Sequence, residues 1–125
     1  MSTQNDFERS FPVGVAMSAY LRVAISANGQ VTPAALKEPG IGVLQQDVQG
    51  ASWENAKVRF YGTGSCVMLA TGGLITVGTT MFGATGGYVT STPNQTAGVG
   101  ITIGTALETV SAALGTVEIA TCVQY

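Results

Sequence analysis

The sequence predicts an all-β protein, and its composition, its alternating apolar residues and its closely spaced turns lead to this fold class. Of the 125 residues 17 are Gly, and Thr and Val are frequent, whereas the Glu, Lys and Arg that cover the solvent faces of helices are few. Alternation of apolar and polar residues is typical of strands with one buried face. Several short strands separated by glycines predict a small barrel or sandwich.

The first twelve residues predict a flexible N-terminal arm, followed by a single β-domain over residues 13–125. Residues 1–10 are mostly polar or charged, and Phe7 is their only aromatic residue. Chain ends of this kind are often mobile until a partner orders them, although an ordinary frayed terminus has the same composition. Ten extended residues span about 33 Å, which is enough to reach a neighbouring subunit.

The segment 11–25 alternates over its whole length, with apolar side chains at the odd positions and polar or small ones, including Arg22, at most even positions. This period predicts a strand with one face in the core and one in solvent. Because strands rarely exceed about ten residues, we expect a bend near Gly14 or Ser18. Asn28-Gly29 then predicts a tight hairpin turn.

Later strands follow the same pattern. Lys57, Arg59 and Tyr61 alternate with Val58 and Phe60, which predicts a solvent face for the first three. Only two segments leave room for a helix, Ala34 to Glu38, which Pro39 ends, and residues 105–114. We therefore predict at most one short helix, near residues 105–114.

The chain also resembles itself at a separation of 58 residues. Gly29, Val31 and Thr32 recur as Gly87, Val89 and Thr90, and the Gly-Ile-Gly-Val of residues 40–43 aligns with residues 98–101. The comparison predicts two similar β-units that share a core, with repeat segments 27–66 and 85–122. Chance is the alternative explanation, because strands built from few residue types recur without duplication.

Charged residues make up only 10% of the chain, and none occurs in residues 60–107, which we call the uncharged stretch. A partner that covers part of this surface explains the composition, and a hydroxyl-rich surface that water solvates is the alternative. Five basic residues against seven acidic ones form no cationic stripe, so we expect no nucleic-acid partner. No segment has the pattern of a membrane helix or a signal peptide, so we expect no membrane partner.

The sequence contains few residues suited to catalysis. The chain has no histidine, its acidic residues are scattered, and its Gly-x-Gly segments lack the further glycine or lysine of a phosphate-binding loop. Cys66 and Cys122 lack the spacing of a zinc site and are expected as buried, small apolar side chains. We therefore predict no enzyme, no catalytic residue, no metal or cofactor, and no small-molecule substrate.

An ordered series of short motifs, from Gly40 to the end of the chain, is similar to that of the tailed-bacteriophage capsid cement, or head decoration, proteins. In order, the motifs are Gly40-Ile41-Gly42-Val43, Val58-Arg59-Phe60, Cys66 to Ala70, Gly78 to Phe82, Gly86 to Thr90, Ile103 to Glu108 and Ala112 to Ile119. The family has an aspartate where this chain has Thr79, and often another at Thr116.

This resemblance implies a compact β-barrel or β-tulip-like domain, commonly a homotrimer, on the outer face of a capsid where major capsid protein subunits meet. The implied activity is mechanical, since such a protein bridges and stabilises the shell. It further implies an arm that orders on docking. We therefore expect Phe7, Arg9 and Phe11 in the arm, and Trp53 in a polar loop, to contact the capsid. The expected location is the virion, after synthesis in the host cytoplasm.

Two other functions remain open at this point. A carbohydrate-binding or receptor-binding β-module of a virion or cell surface would expose a cluster of aromatic residues, for which Trp53, Tyr61 and Tyr88 are the candidates. A small enzyme would bring together carboxylates from the following set: Asp47, Glu54, Glu108 and Glu118.

Overall fold

The computed structural model of the chain describes residues 8–51, 53–61, 64–92, 100–110 and 115–121. In these ranges it contains ten strands in two five-stranded antiparallel sheets and a single-turn 3-10 helix, Thr85–Gly87. The first sheet contains β1 (Glu8–Pro12), β2 (Arg22–Ile25), β3 (Val31–Pro33), β4 (Gly42–Leu44) and β5 (Asn55–Phe60). The second contains β6 (Ser65–Leu69), β7 (Thr80–Gly83), β8 (Val89–Thr90), β9 (Thr102–Ala106) and β10 (Thr116–Thr121). The predicted all-β fold class is confirmed.

The two sheets have the same topology. Their strand orders are β1-β5-β4-β2-β3 and β6-β10-β9-β7-β8, so each strand of the first sheet has a counterpart five strands later along the chain. We call β1 to β5 the first unit and β6 to β10 the second unit. Both begin earlier in the chain than the predicted repeat segments, 27–66 and 85–122.

Hydrogen bonds outside the strands match as well. Met17 and Val48 exchange two backbone hydrogen bonds, and Ile75 and Val110 do the same in the second unit. The backbone N–H of Tyr20 donates to the carbonyl of Leu44 at 2.7 Å, as that of Gly78 does to Ala106 at 2.8 Å. Corresponding residues can therefore be identified one by one.

Each sheet curls until its two outer strands meet. The residue after β1, Val13, forms a parallel bridge with Val31 in β3, and Ala70 after β6 forms the same bridge with Val89 in β8. Each unit thus closes around its own cluster of buried apolar side chains. Their removal from water stabilises the folded unit. The first cluster includes Val23 and Leu44, and the second includes Met81 and Ile119.

The clusters also exchange residues across the boundary between the units. Val43 and Tyr61 of the first unit belong to the second cluster, while Leu69 and Tyr88 of the second unit pack against the first. All three residues of β4 are buried, because one face of this strand packs on its own core and the other on the second unit. The outer face of the first sheet is therefore partly an internal surface.

Several local predictions can be compared with these strands. The expected break in segment 11–25 is confirmed, since β1 ends at Pro12 and β2 begins at Arg22. The turn at Asn28-Gly29 joins β2 to β3, with Gly29 at a φ of +84°. Ala34 to Glu38 forms a turn, and Thr105 and Ala106 lie in β9, while residues 111–114 lie outside the described residues.

Of the predicted arm, residues 8–12 form β1, which pairs with β5 along its full length from Glu8–Arg59 to Pro12–Asn55. Residues 1–7 lie outside the described part of the chain. No helix in the described ranges is long and apolar enough to cross a membrane.

Candidate docking surface

Arg22 lies at the boundary between the two units and not on the solvent face that the alternation of residues 11–25 predicts. Its side chain is fully buried because the outer face of β2 lies against the second unit. The guanidinium donates to four carbonyl oxygens: those of Glu38 at 2.6 Å, Ala84 at 2.8 Å, Tyr88 at 3.1 Å and Ala35 at 3.3 Å. Two of these acceptors belong to each unit, so one side chain ties both together.

Burial perturbs the titration of this arginine and of its neighbour Tyr61. Removal from water lowers the pKa of Arg22, and the nearby Tyr61 and Glu38 oppose this shift. The Tyr61 side chain was expected to face solvent but is only 4% exposed, and its hydroxyl donates to the carbonyl of Pro39 at 2.7 Å. Burial raises the pKa of Tyr61 above its ordinary value.

Tyr20, also at this boundary, adopts a left-handed backbone conformation with a φ of +72°, which residues other than glycine rarely adopt. Its counterpart in the second unit is Gly78, with a φ of +88°. The Tyr20 side chain packs against the core of the second unit, and its carbonyl accepts a hydrogen bond from the N–H of Leu69 at 2.8 Å. Packing between the units thus offsets local backbone strain.

Trp53 projects from the connection between β4 and β5 and is 81% exposed. The loop beneath it is held by Glu54, whose Oε1 accepts the backbone N–H groups of Gln49 and Gly50 at 2.9 Å and that of Ala51 at 3.3 Å. A loop fixed in this way loses little conformational entropy when a partner contacts it. Trp53 therefore has the exposure and the rigid support of an interface anchor.

This loop adjoins a second exposed segment. A Cβ at Gly50, which has a φ of +87°, would lie 2.7 Å from the backbone nitrogen of Ala16, so the two backbones touch. Val15, the neighbour of Ala16, is 44% exposed. We call Val15, Trp53 and the connecting backbone the Trp53 surface.

A groove of about 490 Å³ continues from this surface toward the second unit. Its lining includes the buried side chains of Met17, Leu21 and Val48 and, from the second unit, Tyr88. Asp47 is the one charged residue among the described residues of the lining, and its Oδ1 accepts the N–H of Ala19 at 2.7 Å. The groove is thus a cleft whose exposed lining is more polar than apolar, above the buried apolar side chains of the first unit.

The other predicted contact residues lie along β1, whose last residue, Pro12, pairs with Asn55 next to the Trp53 loop. Arg9 is exposed and lies 5.4 Å above the ring centroid of Phe11. Phe11 is half-buried against Phe60, with ring centroids 6.0 Å apart and an angle of 82° between the rings. Arg9 and Trp53 can therefore contact a partner directly, whereas Phe11 lies beneath Arg9. Phe7 lies outside the described residues.

The aromatic cluster required by a carbohydrate-binding module does not form from its three candidates. Trp53 is exposed, but Tyr61 is enclosed in the core of the second unit and Tyr88 is half-buried at the groove. Among the acidic candidates, Glu108 accepts the backbone N–H of Glu118 at 2.9 Å, while the Glu118 carboxylate accepts the hydroxyl of Ser65 at 2.8 Å.

Metal coordination has no support within the described ranges, where no three His, Cys, Asp or Glu residues lie close enough to share an ion. Cys66 is buried in β6, as predicted, and Cys122 lies outside those ranges.

Fold and surface together define an all-β protein of two topologically matching units, with an exposed aromatic anchor on the first. No protein-family model matches the chain, and no curated protein matches it. Among solved structures, it is similar to the head fiber gp8.5 N base of bacteriophage phi29, with a TM-score of 0.68 over 91% of this chain and 92% of that chain. The two sequences are 18% identical, so the likeness is one of fold.

Proposed function

We propose that this chain is a structural protein of a bacteriophage virion, which binds the outer surface of the capsid and stabilises the shell by bridging major capsid protein subunits. The observation that supports this most is the shared fold with a phage head fiber base over nine-tenths of both chains. The order of sequence motifs, similar to that of head decoration proteins, points in the same direction.

The Trp53 surface is the proposed contact with the capsid. Interface anchors are typically aromatic or Arg side chains surrounded by partly polar residues, and Trp53, Arg9 and the carboxylate of Asp47 provide such a set. A homotrimer would present three copies of this surface at once. Because equivalent sites on a shell are bound together, each single contact can be weak while the assembly remains attached.

Co-sedimentation with heads of the phage that encodes the chain tests this function. We expect the wild-type protein to sediment with heads, and Trp53→Ala to weaken binding by a factor of about 10 or more, the usual loss for a central aromatic anchor. Ile25→Ala is the matched control, because Ile25 is an exposed apolar residue at the end of β2, and it should bind normally. Failure of the wild-type protein to bind heads would disprove the proposed function.

To test whether the N-terminal residues contribute to head binding, a deletion must leave the fold intact. Removal of residues 1–12 would also remove β1 and uncover β5, so loss of binding would be ambiguous. Deletion of residues 1–7 keeps β1 in place. Weaker head binding by this variant, with unchanged thermal stability, is the result expected if these residues contact the shell.

A further inference from the structure

The second unit has an exposed apolar surface on the segments that correspond to those next to the Trp53 surface in the first. Leu74, Val77 and Leu107 are 62%, 56% and 46% exposed, and we call these three residues the second-unit patch. Leu74 and Val77 precede β7, and Leu107 follows β9.

The patch lies on two adjacent backbone segments. Ile75 and Val110 exchange backbone hydrogen bonds at 2.8 and 2.9 Å, and the N–H of Val77 donates to Oγ1 of Thr109 at 3.0 Å. These bonds hold the segments side by side, so the three exposed apolar residues lie on neighbouring stretches of backbone.

Comparison of the units shows that the shared backbone does not require this apolar surface. The hydrogen bonds that match between the units identify the counterparts of Leu74, Val77 and Leu107 in the first unit. These counterparts are small or polar, namely Ala16, Ala19 and Gln45. The first unit folds with those residues in the same backbone positions. The fold therefore does not require large apolar side chains at these positions, and their exposure to water indicates a surface that contacts a partner.

The two surfaces differ in the number of neighbouring charges. Asp47 and Glu54 adjoin the Trp53 surface and Glu108 adjoins the patch, and each of these carboxylates accepts a backbone N–H group. In the described part of the second unit, Glu108 and Glu118 are the only charged residues.

We infer that the second-unit patch is the surface through which copies of this chain associate. Two patches of this kind bring few like charges together, since Glu108 is the one charged residue next to the three described patch residues. Interfaces between identical subunits are also more apolar than those between different proteins. The inference deepens the homo-oligomer within the proposed function, but self-association is measured without phage heads. Failure of head binding and failure of this inference are therefore separate results.

The units themselves supply the test variant, Leu74→Ala, Val77→Ala and Leu107→Gln, which places the residues of the first unit in the second. Sedimentation velocity across a range of concentrations is the measurement. We expect the wild-type chain to associate, and the triple variant to dissociate at concentrations at least tenfold higher than those at which the wild type does. Ile25→Ala serves as the exposed apolar control and should associate like the wild type.

Two results would overturn the inference: a wild-type chain that stays monomeric at the highest concentration tested, or a folded triple variant that associates as the wild type does. Far-UV circular dichroism establishes that the variant is folded. If the triple variant does not fold, the single variant Leu107→Gln decides, because Gln45 already occupies the corresponding site, and unchanged association of that variant counts against the patch.

Discussion

Tyr20 and Gly78 occupy corresponding positions with the same left-handed backbone, but only one of them is a glycine. A left-handed conformation costs an ordinary residue about 1–2 kcal/mol. The protein accepts this cost in the first unit because the Tyr20 side chain fills space against the core of the second. Backbone strain at this residue therefore reflects the contact between the units.

Strain at Tyr20 predicts an unusual order of stabilities among its variants. Tyr20→Gly and Tyr20→Ala both lose the packed ring, but only glycine relieves the strain, so Tyr20→Gly should be more stable than Tyr20→Ala by about 1 kcal/mol in denaturant unfolding. Tyr88, with a φ of −79°, is the control position, where the glycine variant should be the less stable of the two. Equal stability of the two Tyr20 variants would show that its backbone is not strained.

At the scale of single elements, the loop between β4 and β5 depends on one carboxylate that receives three backbone N–H groups. The β2–β3 hairpin was predictable because Asn28-Gly29 determines its turn locally. The Trp53 loop was only partly predictable, since the sequence indicated an aromatic residue in a polar loop, while the role of Glu54 depends on how the loop folds back. Contacts between residues three to five positions apart leave no periodic pattern in a loop.

Glu54→Ala should release this loop without unfolding the protein. Trp53 is the only tryptophan, so its fluorescence anisotropy reports on the loop alone and should fall. The unfolding free energy should change by about 1 kcal/mol or less, because water can solvate the released N–H groups. Glu38→Ala removes a similar carboxylate contact, to the N–H of Ala35 at 3.1 Å, and should leave the anisotropy unchanged. Unchanged anisotropy in Glu54→Ala would mean that other contacts fix the loop.

At the scale of the whole molecule, the first unit is covered on a face that the sequence pattern assigned to water. Alternation indicates which residues share a face, but it does not say what covers the second face. The all-β class could therefore be predicted, whereas the burial of Arg22 and Tyr61 could not. The repeat, too, could be predicted only in part. Val23 corresponds to Met81, 58 residues later, but Gly42 corresponds to Gly104, 62 residues later. The connection between β8 and β9 is longer than that between β3 and β4, so a comparison at one fixed separation cannot align the residues on both sides of it.

Arg22→Met should weaken the contact between the units. Four carbonyl groups lose their donor inside the protein, and we expect the unfolding free energy to fall by about 3 kcal/mol or more. Backbone amides near Ala84 should exchange hydrogen faster than in the wild type, since this residue accepts one of the four bonds. Arg59→Met, at a partly exposed site, should cost about 1 kcal/mol or less. Similar losses in both variants would rule out a special role for Arg22.

The uneven distribution of charge also has a consequence for proteolysis. Trypsin cleaves after Lys and Arg, and all five such residues, Arg9, Arg22, Lys37, Lys57 and Arg59, precede residue 60. The second unit contains no site for this protease, whether it is folded or not. Digestion therefore removes the first unit piece by piece and leaves residues 60–125 as one fragment, which allows the folding of the second unit to be examined alone.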